Sequence, residues 1–176
     1  AILLNLAAVA LIATNDAEIK LGGVVAVVGG GTVGQLTVQT AFAGGARKVF
    51  LIEPSRERRQ FAAARSAVVP IDPSEGIPAL QIQRHNDGNP PDVVIECSGA
   101  VAGLHTAIQA AGIAGTVVAA GFLTGPATAL CLGEEFLHNR VTIKASMGVW
   151  GCPSRHGRLW PRARVLREAL ALMESK

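Results

Sequence analysis

The chain has 176 residues, of which 49% are hydrophobic and 16% are charged. This composition predicts one folded domain with a substantial core, and it argues against a disordered chain or a nucleic-acid-binding tail. The formal net charge of +3 is too small to indicate a polyanion partner, so we expect no nucleic acid to bind. The three cysteines are an odd number without a CxxC pair, which favours a reducing, cytoplasmic setting over a disulfide framework.

Apolar residues dominate the start of the chain, AILLNLAAVALIA. This segment lacks the basic start of a signal peptide, contains Asn5, and is too short to cross a bilayer core of about 30 Å. It therefore predicts a buried helix and no membrane partner. The chain begins with Ala1 rather than Met, so we expect it to be a piece of a longer protein.

Short runs of branched apolar residues recur along the chain, each bounded by Gly, Pro or charged residues, and alanine-rich stretches with helical spacing lie between them. Strands that are apolar on both faces are typical of a parallel sheet covered by helices on both sides. The pattern predicts an α/β fold, a doubly wound parallel sheet, in a single domain covering residues 1–176. The predicted strands are residues 24–28, 48–52, 92–96, 116–120 and 141–144.

Capping and breaking residues place the helices between these strands. The predicted helices are residues 32–42, ending at Gly44 and Gly45; a helix capped by Ser55; a helix beginning near Ser74 and Glu75; residues 100–111; and residues 161–173, with Pro161 in the first helical position.

A glycine motif, GxGxxG, follows the first of these strands and opens a helix. Gly29 permits a tight turn, Gly31 lets the backbone approach a pyrophosphate, and Gly34 lets the helix pack close to the sheet. Backbone amides near Thr32 and Val33 then face the phosphate charge. The motif alone is weak, because a glycine cluster can be only a tight turn. The strand before it and the helix after it are the context of a Rossmann dinucleotide-binding fold.

Glu53 stands at the tip of the second predicted strand, about twenty positions after the glycine motif. Dinucleotide-binding domains carry an acidic residue there that binds the ribose hydroxyls. The Glu53 carboxylate repels a 2′-phosphate, which favours NAD over NADP. NADP would be favoured instead if that phosphate were received by a nearby residue, Ser55, Arg56, Arg58 or Arg59. The alternative is that these residues form a solvated helix face. NAD is the predicted cofactor, with NADP as the alternative.

Six ordered segments resemble the cofactor domain of the medium-chain dehydrogenase/reductase family, the zinc-type alcohol dehydrogenase relatives. They are LAAVALIATNDAEIKLGG, VVAVVGGGTVG, KVFLIEPSRERRQFA, DVVIECSGA, GTVVAAGF and FLHNRVTIKASMG. The resemblance implies hydride transfer between a nicotinamide cofactor and a small alcohol or carbonyl substrate, and assembly into dimers or tetramers.

The resemblance also implies a role for individual residues along the cofactor. These are Gly29, Gly31, Thr32, Val33 and Gly34 for the pyrophosphate, Glu53 for the ribose, Arg58 for the adenosine edge, Ser98 and Gly99 along the cofactor, and Ala120, Gly121, Phe122, Ser146 and Met147 at the nicotinamide end.

Several features depart from the family pattern. Members of the family have a second, largely β catalytic domain of the GroES-like type, which we expect to lie outside this chain. The position near Leu4, where many members supply a zinc ligand, has no Cys, His, Asp or Glu, so zinc in the parent enzyme stays open. The chain is expected to bind nucleotide without turnover. The alternatives are a zinc-free NADPH-dependent quinone or enoyl reductase, and a non-catalytic nucleotide-sensing domain.

Other candidate residues carry weaker signals. Cys152 and His156 are spaced C-x-x-x-H but lack further ligands, so no metal site is predicted. Cys97 is interpreted as a small buried hydrophobe. Residues 141–144 form a sheet edge in this reading, and a bare edge invites pairing, so we expect a homodimer across it.

Overall fold

The computed structural model of the chain describes residues 2–128, 130–147 and 159–174. Six strands form one sheet in which every neighbouring pair is parallel. The strands are β1 Val24–Val28, β2 Lys48–Ile52, β3 Val68–Ile71, β4 Val93–Glu96, β5 Thr116–Ala119 and β6 Thr142–Ala145. All five predicted strands are confirmed to within one residue at either end.

The strand order is β3-β2-β1-β4-β5-β6. The chain therefore builds outward from β1 on one side of the sheet and then returns to place β4 against the other side of β1. Parallel pairing aligns the ends of the strands, with Val28 beside Ile52 on β2 and beside Glu96 on β4. This order is that of a doubly wound sheet, in which a crevice opens where the direction of winding reverses, here between β1 and β4.

Helices cover both faces of the sheet. They are α1 Ile2–Asp16, α2 Thr32–Ala43, α3 Arg56–Ala63, α4 Pro78–Arg84, α5 Val101–Ala110 and α6 Arg162–Glu174. Alternate residues of β1 face opposite layers: Val25 and Val27 pack in the cluster that includes Val38 of α2, and Ala26 packs in the cluster that includes Leu104 of α5. This alternation explains why each strand reads as a continuous apolar run.

The first segment of the chain forms α1, which confirms the predicted buried helix. Its residues Ala8 and Ile12 are buried against Val165 of α6, which forms an outer layer over α1. Among the described residues, we find no helix whose length and hydrophobicity would let it cross a membrane.

Two elements differ from the sequence prediction. The strand β3 was not predicted, because its four residues, VVPI, are few and contain Pro70. Proline removes a backbone donor, and β3 tolerates it because it is an edge strand. The helix expected near Ser74 is only a 3₁₀ turn at Pro73–Glu75, and α4 begins at Pro78 because Gly76, with φ +134°, separates the two.

Candidate functional site

The glycine loop leaves β1 at the crevice. Gly29 has φ +93°, a conformation that side chains other than glycine rarely adopt. A Cβ added to Gly29 would lie 2.8 Å from the Cα of Ser98, so the turn that follows β4 touches this loop. The predicted tight turn at Gly29 is confirmed. Two of the sequence-predicted segments, which are far apart in the chain, therefore lie in contact.

The N-terminus of the helix α2 has no capping side chain. Gly31 is its N-cap, without a side-chain hydrogen bond, and no acidic residue lies in the first turn. A Cβ on Gly31 would meet nothing within 4 Å, so open space adjoins the amides near Thr32 and Val33. A Cβ on Gly34 would lie 1.8 Å from the carbonyl oxygen of Gly29, which fixes how closely the helix approaches the loop. Backbone amides at such a helix end attract anions.

Glu53 directly follows β2 and is only 3% exposed. Its Oε2 accepts a hydrogen bond from the Gly30 amide at 2.6 Å, and its Oε1 accepts one from the Ser55 amide at 2.8 Å. A Cβ on Gly30 would lie 2.9 Å from Cγ of Glu53. The carboxylate is thus held against the glycine loop. Gly30 was not selected from the sequence, although the run GGG contains the signal.

The arginines after Glu53 have different surroundings. The Arg58 side chain is 59% exposed, and its Nη1 lies 3.8 Å from Oε2 of Glu53. Arg59 instead forms an ion pair with Asp72 and donates hydrogen bonds to the carbonyl oxygens of Glu53 and Pro54. Arg59 therefore joins the ends of β2 and β3. The predicted N-cap of α3, Ser55, is confirmed, because its side chain accepts from the Arg58 amide.

The turns after β4 and β5 lie against each other. A Cβ on Gly99 would lie 3.0 Å from the carbonyl oxygen of Phe122, and a Cβ on Gly121 would lie 2.3 Å from the Gly99 amide nitrogen. The backbone amides of Ala120 and Gly121 both donate to the Glu96 carbonyl oxygen at 2.9 Å. The Phe122 side chain is 77% exposed and extends from this surface.

The segment after β6 also lies at the carboxyl ends of the strands. The Ser146 amide donates to the Ala119 carbonyl oxygen at 2.9 Å, which places residue 146 beside the end of β5. Ser146 is buried, and Met147 is 48% exposed. The structure thus brings the predicted site residues to the carboxyl ends of the strands: Gly29, Gly31, Thr32, Val33, Gly34, Glu53, Arg58, Ser98, Gly99, Ala120, Gly121, Phe122, Ser146 and Met147.

Gln35 is a further residue of this edge that the sequence did not single out. Its Nε2 donates to the Gly30 carbonyl oxygen at 3.2 Å and to the Arg58 carbonyl oxygen at 3.0 Å. It therefore ties the glycine loop to α3. A cavity of about 480 Å³ adjoins Gly30, Gly31 and Arg58. A larger cavity of about 720 Å³ lies among α1, α2 and α6, away from the strand ends, so we place the site by the loops rather than by cavity size.

Cys97 packs against the apolar core as predicted, but it is only partly buried. Desolvation raises the pKa of its thiol to about 12; the hydrogen bond between Cys97 and Thr37 opposes this shift, and the nearby Glu96 charge adds to it. Within the described ranges, no three His, Cys, Asp or Glu side chains gather in a way that could hold a metal. The C-x-x-x-H pair, Cys152 and His156, lies outside the described residues.

Fold and site together define a doubly wound α/β domain with a glycine loop and an uncapped helix at its switch point, the class that binds nucleotide cofactors. A family model described as zinc-binding dehydrogenase matches residues 32–161. The chain therefore belongs to this family, which is the one that its ordered segments resemble.

Two curated relatives illustrate the similarity. The chain is 35% identical over 111 residues to (R,R)-butanediol dehydrogenase of Bacillus subtilis (strain 168), an alignment that covers 63% of this chain and 32% of the relative. It is 34% identical over 139 residues to L-threonine 3-dehydrogenase of Pyrococcus horikoshii, covering 79% of this chain and 37% of the relative. The chain thus spans about a third of the length of these relatives.

Two solved structures are similar to this chain in fold. The crystal structure of 2R,3R-butanediol dehydrogenase from Bacillus subtilis has a TM-score of 0.78 and 27% identity, with 98% of this chain and 45% of that chain covered. A protein of Sinorhizobium meliloti 1021 in the zinc-binding dehydrogenase class, solved with NADP bound, has a TM-score of 0.79 and 26% identity, with 98% and 47% covered.

Proposed function

We propose that this chain is a single dinucleotide-binding domain, residues 1–176, and that it binds a nicotinamide dinucleotide across the carboxyl ends of its strands. The observation that carries the proposal is the junction at the switch point. There the glycine loop after β1 touches the turn after β4, beside an N-terminus of α2 that has no capping side chain. A pyrophosphate is the ligand chemistry that such a junction favours.

The residues present suit such a cofactor. Open space at Gly31 leaves room for a pyrophosphate next to the amides of Thr32 and Val33, with Gly29 and Gly34 holding the loop in place. The remaining contacts that we propose are Glu53 for the adenosine ribose, Arg58 for the adenosine edge, Ser98 and Gly99 along the cofactor, and Ala120, Gly121, Phe122, Ser146 and Met147 for the nicotinamide end.

We propose NAD rather than NADP as the preferred cofactor. Glu53 is buried at the end of β2, and its carboxylate is held by two backbone amides, so its negative charge stays where a 2′-phosphate would have to sit. Arg59 is committed to Asp72, which leaves the exposed Arg56 and Arg58 as the cations of this helix that remain for a phosphate. NADP preference is the competing reading, and it would favour the reductase branch.

The parent protein, in this proposal, oxidises a small alcohol or reduces the corresponding carbonyl compound. The nicotinamide ring, when bound, supplies the hydride acceptor or donor. The chain's own residues bind and orient that cofactor. The described residues do not fit a catalytic zinc, because they bring no ligand set together. We therefore assign the acid, the base and any metal to sequence outside these residues, and we expect this chain to bind cofactor without turnover.

Calorimetric titration of the whole chain with NADH and with NADPH tests the proposal. We expect wild type to bind NADH more tightly. The variant Glu53→Gln removes the charge but keeps the shape, and it should lower the NADH-over-NADPH preference by about tenfold, equivalent to about 1.4 kcal/mol. Glu75→Ala is the matched control, an exposed carboxylate after β3 that should leave the preference unchanged. A folded wild type that binds neither nucleotide would refute the proposal.

We also propose a homodimer formed through β6 and a cytoplasmic setting. The edge position of β6 and its partly exposed residues support the dimer, because an unpaired edge offers backbone donors and acceptors to a second copy. The free thiols of Cys97 and Cys131 support the reducing setting. Light scattering across a concentration series tests the dimer, and a monomer mass throughout would exclude it.

A further inference from the structure

Glu96 is an ionisable residue in the middle of the sheet. It is the last residue of β4, which lies between β1 and β5, and it is 0% exposed. Carboxylates are rarely buried this completely unless they are paired or hydrogen-bonded, because removal from water disfavours the charge. Glu96 was read from the sequence only as the end of a strand, and the cofactor contacts proposed above do not use its side chain.

One oxygen of this carboxylate collects three donors from the turn that follows it. Oε1 accepts from the Ser98 amide at 2.6 Å, from the Ser98 hydroxyl at 2.5 Å and from the Gly99 amide at 3.0 Å. The Ser98 hydroxyl oxygen in turn accepts from the Ala100 amide at 3.1 Å, just before α5 begins. The turn is therefore held to Glu96 by three hydrogen bonds to a single oxygen.

The same turn is wedged between two other loops of the site. On one side it touches the glycine loop, since a Cβ on Gly29 would lie 2.8 Å from Ser98. On the other side a Cβ on Gly121 would lie 2.3 Å from the Gly99 amide nitrogen and 2.6 Å from Oε2 of Glu96. The backbone of Glu96 also accepts from the amides of residues 120 and 121. Glu96 thus joins the turns after β4 and β5, and Ser98, which it holds, lies against the glycine loop after β1.

The second oxygen, Oε2, is buried and has no hydrogen-bond partner among the described residues. A carboxylate that concentrates its bonds on one oxygen and leaves the other without a donor is a poor device for stability alone, because the unpaired oxygen still loses its water. Within the described part of the chain, all the bonds that its side chain accepts come from Ser98 and Gly99, in the turn after β4.

We propose that Glu96 is a positioning residue for the dinucleotide. Its carboxylate fixes the position of the Ser98–Gly99 turn. That position sets the distance between the glycine loop and the turn after β5, and the cofactor runs from one of these loops to the other. This inference rests on the proposed dinucleotide binding. A positioning role predicts that loss of the carboxylate weakens binding of a ligand that spans both ends of the site more than binding of one that reaches only the glycine loop.

The test compares NADH with ADP on the full chain by calorimetry. For Glu96→Gln, we expect NADH affinity to fall at least about tenfold while ADP affinity stays within about threefold. Asp92→Asn is the matched control. Asp92 precedes β4, at the amino ends of the strands and away from the site, and its carboxylate also accepts a backbone hydrogen bond, from the Val24 amide at 2.7 Å. The substitution should leave both affinities unchanged.

Each outcome decides between the ideas. Wild type that binds neither ligand refutes the proposed function, and this inference with it. Wild type that binds NADH, alongside a folded Glu96→Gln that binds NADH equally well or loses NADH and ADP in the same proportion, refutes the positioning role alone. If Glu96→Gln does not fold, Glu96→Asp decides, because it keeps the carboxylate but shortens its reach to the Ser98–Gly99 turn: a selective loss of NADH affinity supports the role, and unchanged NADH affinity overturns it.

Discussion

Substitution by alanine should affect different properties at the two glycines Gly31 and Gly34. At Gly34 it should lower the stability of the fold, and at Gly31 it should lower the affinity for NADH. In Gly34→Ala the new methyl group would lie 1.8 Å from the Gly29 carbonyl oxygen, against a normal contact of about 3.5 Å. The helix or the loop must then shift by well over 1 Å, at a cost of about 3 kcal/mol or somewhat more. Alanine regains about 1 kcal/mol as a better helix former, so we expect a net loss near 2 kcal/mol in the free energy of unfolding.

Gly31→Ala should leave the fold almost unchanged. Its methyl group would meet nothing within 4 Å, and its φ of −67° suits any residue. Alanine is a poorer N-cap than glycine by up to about 1 kcal/mol, and the stiffer unfolded chain returns about 0.4 to 1 kcal/mol. The two effects nearly cancel. The methyl group nevertheless occupies the space we assign to a pyrophosphate, so NADH affinity should fall by about tenfold or more, which is about 1.4 kcal/mol.

Urea unfolding followed by circular dichroism measures the first quantity, and calorimetric titration with NADH measures the second, on the same two variants and wild type. The separation of the two effects is the critical result. If Gly31→Ala binds NADH like wild type, the glycine cluster is only a tight turn and the phosphate site lies elsewhere. If Gly34→Ala is as stable as wild type, the close approach of α2 to the loop is wrong.

Three further results should follow. At about pH 7 to pH 9 a thiol reagent should modify the exposed Cys131 and leave Cys97 unmodified, because burial raises the pKa of the Cys97 thiol to about 12; modification of Cys97 in the folded chain would contradict this. Hydrogen bonds from Ser74 hold the pKa of Asp72 below the ordinary value of an aspartate, so Asp72 stabilises the fold above that ordinary value and loses its contribution as the pH falls through the lowered one. Acid unfolding of Asp72→Asn should therefore depend less on pH in that range than wild type, and equal slopes would count against it. Gln35→Ala, which unties the glycine loop from α3, should weaken NADH binding about threefold with little change in helix content, and binding equal to wild type would show that this tie is dispensable.

The fold was predictable because its strands and helices differ in the pattern of their apolar residues. Runs such as VVAVV are apolar at every position, and only a sheet covered on both faces buries all of them. The strand β3 escaped prediction because nothing in VVPI distinguishes an edge strand from a loop, and its pairing with β2 comes from residues nearly twenty positions away. The other edge strand, β6, was predicted because its residues are not interrupted by proline, so Pro70 rather than the edge position hid β3.

The site was predictable only where its geometry is local. The turn at Gly29, the start of α2 and the acidic end of β2 are each encoded within a few residues, and the sequence placed all three. What ties them together is not local: the Gly30 amide reaches Glu53 across 23 positions, and the turn at Ser98 meets the glycine loop across about 70. Glu96 shows the consequence. In the sequence it is an acidic residue at the end of an apolar run, which by itself predicts a solvent-facing strand end. Only the approach of β1 and β5 on either side buries it and turns its carboxylate toward the following turn, so its role depends on three segments that no single stretch of sequence contains.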